Sequence, residues 1–348
     1  MPEAGRMDDR PIVGITLGDV AGIGPEVVVR ALAREDVRAT CRPLVIGDRR
    51  ILDDARFAAQ GLCYFAIEDV GQADWGRRNA FGATGEAVAL LDLHNLDPGD
   101  VTVGQLSRVA GRAAVEYVLK ATALALDGAI DAIATAPLNK EAIRLAGYDY
   151  IGHTEILAEV THTSRCTTML ATPGLRVTHV TRHIPFRQIA AGITAEAVLD
   201  TIVVTHEGMQ TLGYAHPRLA VAGLNPHNGD GGLIGDEEIT SIAPAVRAAV
   251  ERGIDARGPI PADSVFFQAI RGDYDVVVTM YHDQGHIAVK THGFERSITI
   301  TLGLPIIRTS ADHGTAFDIA GRGIASEASM ASAITEAAQM ARRRRGLR

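Results

Sequence analysis

Residues 12-IVGITLGDVAGIGPEVVVRALAR-34 decide the fold class. The apolar run over 12–17 reads as a strand buried on both faces. A glycine-rich turn follows, and the pattern then switches to helical spacing over 25–34, with Pro25 suited to a first helical turn. The same switch recurs along the chain. Strands are expected over 43–47, 132–136, 167–171, 176–181, 219–224, 275–280 and 297–302, and helices over 107–126, 140–145, 154–160, 195–212, 236–251 and 330–343. Strands alternating with helices predict an α/β fold around a largely parallel sheet. The turn 18-GDVAGIG-24 lacks the opening GxG of a dinucleotide fingerprint, which excludes an ordinary Rossmann site there. It reads either as a tight turn before the helix or as a ligand-facing loop.

At 348 residues the chain exceeds what one core usually supports, so two domains are expected, with a change of domain placed at Pro137. The boundaries expected are 1–136 plus 305–348 for the first α/β domain and 137–304 for the second. A hydrophobic share of 47% against 22% charged suits a substantial core, and a net charge of −8 lacks the positive field that nucleic acid requires. The basic run 342–345 with Arg348 reads as the close of a terminal helix. No stretch of 18 apolar residues and no apolar signal core are present, so no membrane association and a cytoplasmic location are expected. Cys41, Cys63 and Cys166 have no CxxC spacing, so any metal falls to histidine.

Five loops carry most of the unusual residues: 18-GDVAGIGPE-26, 135-TAPLNKEAI-143 with 152-GHTE-155, 181-TRHIPFR-187, 224-LNPHNGDGG-232 and 280-MYHDQGHIAVK-290. Each follows an expected strand, where open α/β sheets place ligands. His183, His227 and His282 stand just after three of those strands, and three imidazoles could hold a divalent ion with an open position. Each alone also reads as a capping or hydrogen-bonded histidine. Such an ion would lower the pKa of a substrate hydroxyl and polarise the carbonyl formed from it. Asp283 reads as a ligand, as an orienter of an imidazole, or as a helix cap. His153, Thr154, Lys290 and Arg308 supply donors for phosphate or carboxylate, Arg308 lying between apolar residues where an unpaired charge is costly. The stretch 312-DHGTAFDIAGRGIA-325 permits close backbone approach to phosphates or adenine.

In this order, GDVAGIGPE, TAPLNKEAI, GHTE, GLNPHNGDGG, GPIPAD, MYHDQG and ITLGLPIIRTSADHGTA resemble the 4-hydroxythreonine-4-phosphate dehydrogenase family of pyridoxal phosphate biosynthesis. The resemblance implies a two-domain fold like that of isocitrate and isopropylmalate dehydrogenases, with the active-site cleft between domains. It implies His183, His227 and His282 as ligands of one divalent ion (Zn, Mg, Mn or Co), with His282 coming from the partner subunit of a homodimer. His153, Thr154, Lys290, Thr299 and Arg308 become substrate contacts, with His153, Lys290 and Asp283 in the catalytic set. Gly314, Thr315, Asp318 and Gly321 become contacts of NAD or NADP. The implied reaction oxidises the C3 alcohol of 4-phosphohydroxythreonine or a close 4-phosphorylated hydroxy acid, and the β-keto acid then loses CO₂.

Departures from the biosynthetic pattern point to a sister branch. Thr299 in SITITLGLP stands where VNITLGLP has asparagine, and His286 and Thr291–His292 replace the usual LP and YQ around Lys290. HIAVK with LPIIRTSADHGTAFDIAG is similar to the branch that oxidises 4-phospho-D-threonate or 4-phospho-D-erythronate. A dihydrodiol-dicarboxylate dehydrogenase branch also has HDQGHI but is less similar in the remaining motifs. Two readings from other classes are a phosphate acyltransferase, expected to bind coenzyme A and no NAD, and a metabolite-binding protein, expected to turn nothing over.

Overall fold

The computed structural model of the protein describes residues 8–54, 56, 67–69 and 88–346; Cys63 and Arg348 lie outside them. Contacts divide the chain into two units, Met1–Thr163 with Leu304–Arg348, and Ser164–Gly303.

The first unit holds β1 (Ile12–Thr16), β2 (Arg42–Gly47), β3 (Ile67–Asp69), β4 (Val88–Asp92), β5 (Ala132–Thr135) and β12 (Arg308–Ala311). They lie in the order β3-β4-β2-β1-β5-β12 with every pairing parallel. All five residues of β1 are buried, as a central parallel strand requires. Its helices are α1 (Gly24–Ala33), the short α2 (Glu35–Arg38) and α3 (Arg49–Asp53), α4 (Arg108–Leu126), α5 (Lys140–Leu145), α6 (His153–Val160) and α12 (Ala328–Arg344). Ser107 caps α4 by accepting from the Ala110 N–H, and Asn139 caps α5 by accepting from Glu141 and Ala142.

The expected boundary at Pro137 is corrected to the step after Thr163, because α5 and α6 pack on α4. Gly111 of α4 allows that approach: a Cβ there would stand 2.2 Å from the Ala142 carbonyl oxygen. The segment after Leu304 returns to this unit, where α12 packs on α1, β5 and β12. Its basic last turn is pinned there, Arg342 donating to the Thr40 carbonyl at 2.7 Å and Arg345 pairing with Asp131.

The second unit holds β6 (Thr167–Thr172), β7 (Leu175–His179), β8 (Leu219–Ala222), β9 (Ala256–Ile260), β10 (Val276–Thr279) and β11 (Ile298–Leu302), in the order β11-β6-β7-β10-β8-β9. β6 is antiparallel to both β11 and β7, whereas the run β7-β10-β8-β9 is parallel. Its helices are α7 (Ile189–Gly192), α8 (Ala195–Thr211), α9 (Ala243–Glu251), α10 (Ala262–Ile270) and α11 (His282–Gly293). Leu170, Val177, Ala220, Val265, Val277 and Val289 lie in its core.

Two expectations change here. The segment 280–290, expected as a loop, is mostly the helix α11, and the helix expected over 236–251 begins as a π turn, Glu238–Ile242, before α9. Pro244 near the start of α9 has no N–H to complete the helical ladder, which accounts for the change of pitch. Among the described residues no single helix is long and apolar enough to cross a membrane.

Candidate active site

In the second unit β7, β10 and β8 are parallel neighbours, so the segments after them leave from the same edge of the sheet. His183 follows β7, His227 follows β8 and His282 opens α11 after β10. Two side chains tie these exits together. Thr181 donates from its N–H and its hydroxyl to the Met280 carbonyl, at 3.0 and 2.9 Å. Gln284 accepts from the Met280 N–H at 2.7 Å and donates to the Gly223 carbonyl at 2.8 Å.

His227 sits in a left-handed run, with positive φ at His227, Asn228, Gly229, Asp230 and Gly231. Non-glycine residues there cost on the order of 1 kcal/mol each, so the run persists only because its surroundings over-determine it. The buried Glu238 accepts from the Leu224 and Asn225 N–H groups, both at 2.7 Å, and Asn228 donates to the Pro259 carbonyl at 2.9 Å. Gly229 lies so close to the Gly235 carbonyl that a Cβ would stand 2.4 Å from it.

His183 and His282 approach within one chain, with ring centroids 5.6 Å apart. The Nδ1 of His282 is 2.7 Å from Asp283 Oδ1, so a neutral ring donates to that carboxylate and keeps its lone pair on Nε2. Of the three readings of Asp283, this contact matches the orienter. Two histidines outside the expected set join them: His286 stacks on His282 at 3.6 Å, and the buried His179 lies 4.8 Å from His286. Burial pushes the His179 imidazole down to about 3, with His286 and His282 adding to the shift, so it is neutral.

One chain does not gather His183, His227 and His282 tightly enough to enclose an ion. Among the described residues the three-donor group whose ligand atoms all lie within 4.8 Å of one another is Asp48, Asp92 and His94. Its carboxylates already accept from Arg50, Leu96, Arg49 and His94, which makes it a hydrogen-bonded ion-pair cluster.

Arg308, His153 and Thr154, whose donors suit an anion, lie in the first unit. Arg308 is 3% exposed and donates from Nε and a terminal nitrogen to the Thr135 hydroxyl, at 3.2 and 2.8 Å. Burial pushes its guanidinium down to about 9, opposed by the Glu155 carboxylate, so it stays cationic at neutral pH. His153 and Thr154 form the first turn of α6, whose N-cap Gly152 supplies no side-chain bond to the turn's N–H groups. Burial holds His153 well below the usual imidazole range, and the Arg308 charge adds to this. Its hydrogen bond to the Ala136 backbone places a proton on Nδ1, and the enclosed Nε2 has no protein partner.

The glycine-rich segment lies in the same unit. Gly314 has no heavy atom within 4 Å of where a Cβ would be, Gly321 takes φ +75°, Thr315 is buried and Asp318 is exposed. The segment is pinned from behind: Ile23 N–H donates to the Thr315 carbonyl, Gly323 N–H to Glu26, and Arg30 to the Gly323 carbonyl. The turn 18–24 is therefore built for close packing, and a Cβ on Gly22 would stand 2.6 Å from the Thr315 carbonyl oxygen. Asp19 of that turn was not singled out from sequence. It is wholly buried, Oδ1 accepts from the Ala21 N–H, Oδ2 has no partner, and burial raises its carboxyl to about 6. In the second unit Lys290 is half-buried with Nζ 5.0 Å from the Phe294 ring centroid, and Thr299 is half-buried on β11 opposite Leu170.

The family model described as "Pyridoxal phosphate biosynthetic protein PdxA" matches residues 39–337. D-threonate 4-phosphate dehydrogenase of Cupriavidus necator is 49% identical over 339 residues, 97% of this chain and 99% of that protein. The solved structure of 4-hydroxythreonine-4-phosphate dehydrogenase from Klebsiella pneumoniae is 43% identical, covers 95% of this chain and 99% of its own, and superposes with a TM-score of 0.86. That of the Burkholderia phymatum enzyme of the same name is 45% identical over 96% of this chain and 99% of its own, with a TM-score of 0.82.

Proposed function

The chain belongs to the PdxA family of pyridoxal phosphate biosynthetic proteins, and from that premise we propose that it is a metal-dependent, NAD(P)-linked dehydrogenase of a four-carbon, 4-phosphorylated hydroxy acid. Oxidation of the C3 alcohol of 4-phosphohydroxythreonine, or of a close analogue, is followed by loss of CO₂. The observation that carries this reading is the exit of three histidine-bearing segments from adjacent parallel strands, with His282 oriented by Asp283. Family membership, rather than a distance, joins those imidazoles to the donors of the first unit.

The donor set suits a borderline divalent ion: His183, His227 and His282 offer neutral nitrogen ligands, and Asp283 holds His282 in the tautomer that ligation needs. When bound, the ion would supply Lewis-acid polarisation of an alcohol or carbonyl oxygen, and the nicotinamide would accept the hydride. Gly314, Thr315, Asp318 and Gly321 offer the open, pinned backbone that a dinucleotide can approach. One chain leaves the histidine set unclosed, which supports a homodimer that shares the site. Exposed apolar side chains near the histidine segments, Phe186 at 78% and Leu233 at 86%, suit burial against a second copy.

The remaining roles fall to this chain's own side chains. Arg308 presents a planar fork to phosphate or carboxylate, and Thr154 adds donors at a helix start that already favours anions. His153 is neutral with a lone pair on its enclosed Nε2, so it can accept the alcohol proton as the hydride leaves. Lys290 can return a proton to the carbon that CO₂ has left. Thr299 offers a hydroxyl to the substrate's 2-position. A second reading, 4-phospho-D-threonate or its erythronate isomer as substrate, is favoured by Thr299 in place of asparagine and by the Cupriavidus relative's name.

The test is NADH formation from 4-phosphohydroxythreonine and from both phosphorylated aldonates, with NAD and NADP, before and after chelation. Turnover restored by added divalent metal is expected. Full turnover by metal-stripped protein would overturn the metal role, and tight coenzyme A binding without NAD binding would overturn the reaction class.

A further inference from the structure

We infer that His286, braced by His179, is a positioning residue that fixes the plane of the His282 imidazole. The inference rests on the reading of His282 as a metal ligand.

His282 and His286 stand one turn apart on the same face of α11, with rings 3.6 Å apart and only 14° from parallel. The Nδ1 of His286 lies 3.1 Å from the His282 carbonyl oxygen and 3.1 Å from His179 Nε2. A carbonyl only accepts, so Nδ1 of His286 carries the proton, and His179 Nε2 can share it. Rotation of the His286 ring would break both contacts.

His179 is fixed in turn. It ends β7 and is 4% exposed. Gly285 of α11 makes room for it, because a Cβ at that position would stand 2.8 Å from His179 Nε2 and 2.9 Å from a Val177 methyl. The glycine in HDQGH is thus the close approach that lets a strand-end imidazole reach the helix face.

His282 is therefore held twice, on its ring face by His286 and through Nδ1 by Asp283. Side-chain freedom that ligation would otherwise have to remove is already restricted in the free protein. Leucine at this position keeps apolar bulk against the helix face and removes the ring and its N–H, which makes it the direct replacement.

The experiment is Co²⁺ binding to metal-free, full-length protein, read by competition with a chromophoric chelator and by the ligand-field absorption of bound Co²⁺. Wild type is compared with His286→Leu, His286→Phe and His282→Ala, and the Tm of each metal-free protein is recorded. His286→Leu is expected to weaken Co²⁺ binding by about 10- to 100-fold and to alter the ligand-field spectrum, at an unchanged Tm. His286→Phe, which keeps a stacked ring but no N–H, should recover part of the affinity. Co²⁺ binding by His286→Leu equal to wild type, while His282→Ala loses it, overturns the inference and leaves the ligand reading standing. An affinity loss matched by a fall in Tm, with the spectrum unchanged, marks a merely structural role and also overturns it. Undiminished binding by His282→Ala removes the ligand reading, and this inference with it.

Discussion

The Arg308 and His153 end of the first unit and the imidazole edge of the second hold polar groups by opposite means. Arg308 and the Nε2 of His153 are enclosed by the ends of buried strands, with water already excluded. His183 and His227 are exposed and His282 is half-buried, its ring held by a carboxylate and a neighbouring imidazole. A site that must bind an anion strongly gains from low dielectric before the ligand arrives, whereas an ion site can stay open until its ligand set is complete. The first arrangement carries a standing desolvation cost and the second leaves its stability elsewhere.

The sharpest way to break this comparison is to remove His282. His282→Ala is expected to lower kcat/KM on the order of 10³-fold through loss of ion-assisted charge stabilisation, measured by NADH formation at saturating metal. The protein should keep its melting temperature, because the ring adds little to the core. Mixing His183→Ala with His282→Ala protein tests sharing between subunits. If the ligands come from different subunits, randomly reassociated dimers regain about one quarter of wild-type turnover, and if they come from one chain, nothing returns.

Next in size is the cost of the buried carboxyl in the first unit. The Asp19 carboxyl is raised to about 6 from 3.8, so folding favours its protonated form. The associated stability is fully present below about pH 4 and is lost as pH rises through about 6. Asp19→Asn keeps the acceptor for Ala21 and removes the ionisation, so at pH 7 it should stabilise the free protein by up to about 3 kcal/mol. Denaturant unfolding at pH 4 and pH 7 checks it: the difference between the two proteins should nearly vanish at the lower pH. An equal gain at both would show that ionisation is not the cause.

Arg308→Lys has a smaller effect and a different signature. A lysine keeps the charge and loses the fork, so KM for a phosphorylated substrate should rise by about tenfold with kcat little changed. A fall in kcat at constant KM would instead place Arg308 against the reacting atoms.

Much of this organisation could be read from the chain. The central strands are continuous β-branched runs, and the three histidines stand just past three of them, so the α/β class and the imidazole edge follow from position alone. Other features carry no local signal. His179 ends a strand and reads as part of it, and only the missing Cβ of Gly285 brings it to His286. α11 is hidden because HDQGH is polar, glycine-containing and poor in helical periodicity, yet its Gly285 and Val289 face the core. The burial of Asp19 depends on segments more than a hundred residues away, its N–H donating to the Pro137 carbonyl. The end of the first unit at Thr163 depends on packing of α5 and α6 against α4, which sequence spacing does not reveal.

The smallest expected effect sharpens the comparison at the level of the substrate. Thr299 lies on β11, where Ile298, Ile300 and Leu302 point to one face and Thr299 and Thr301 to the other. Opposite it in the antiparallel register is Leu170, so a side chain one atom longer meets no backbone constraint from the pairing itself. A threonine hydroxyl offers one donor and an acceptor, whereas an asparagine amide offers a carbonyl that can accept from an ammonium. Thr299→Asn should therefore shift the ratio of kcat/KM values toward 4-phosphohydroxythreonine over 4-phospho-D-threonate by roughly three- to tenfold, the size of one exchanged hydrogen bond. The shift should appear in KM for both substrates and leave Co²⁺ affinity unchanged, because the group discriminates a substituent and not the ion. A change in metal affinity with no change in substrate ratio would place Thr299 with the imidazoles and remove it from substrate recognition.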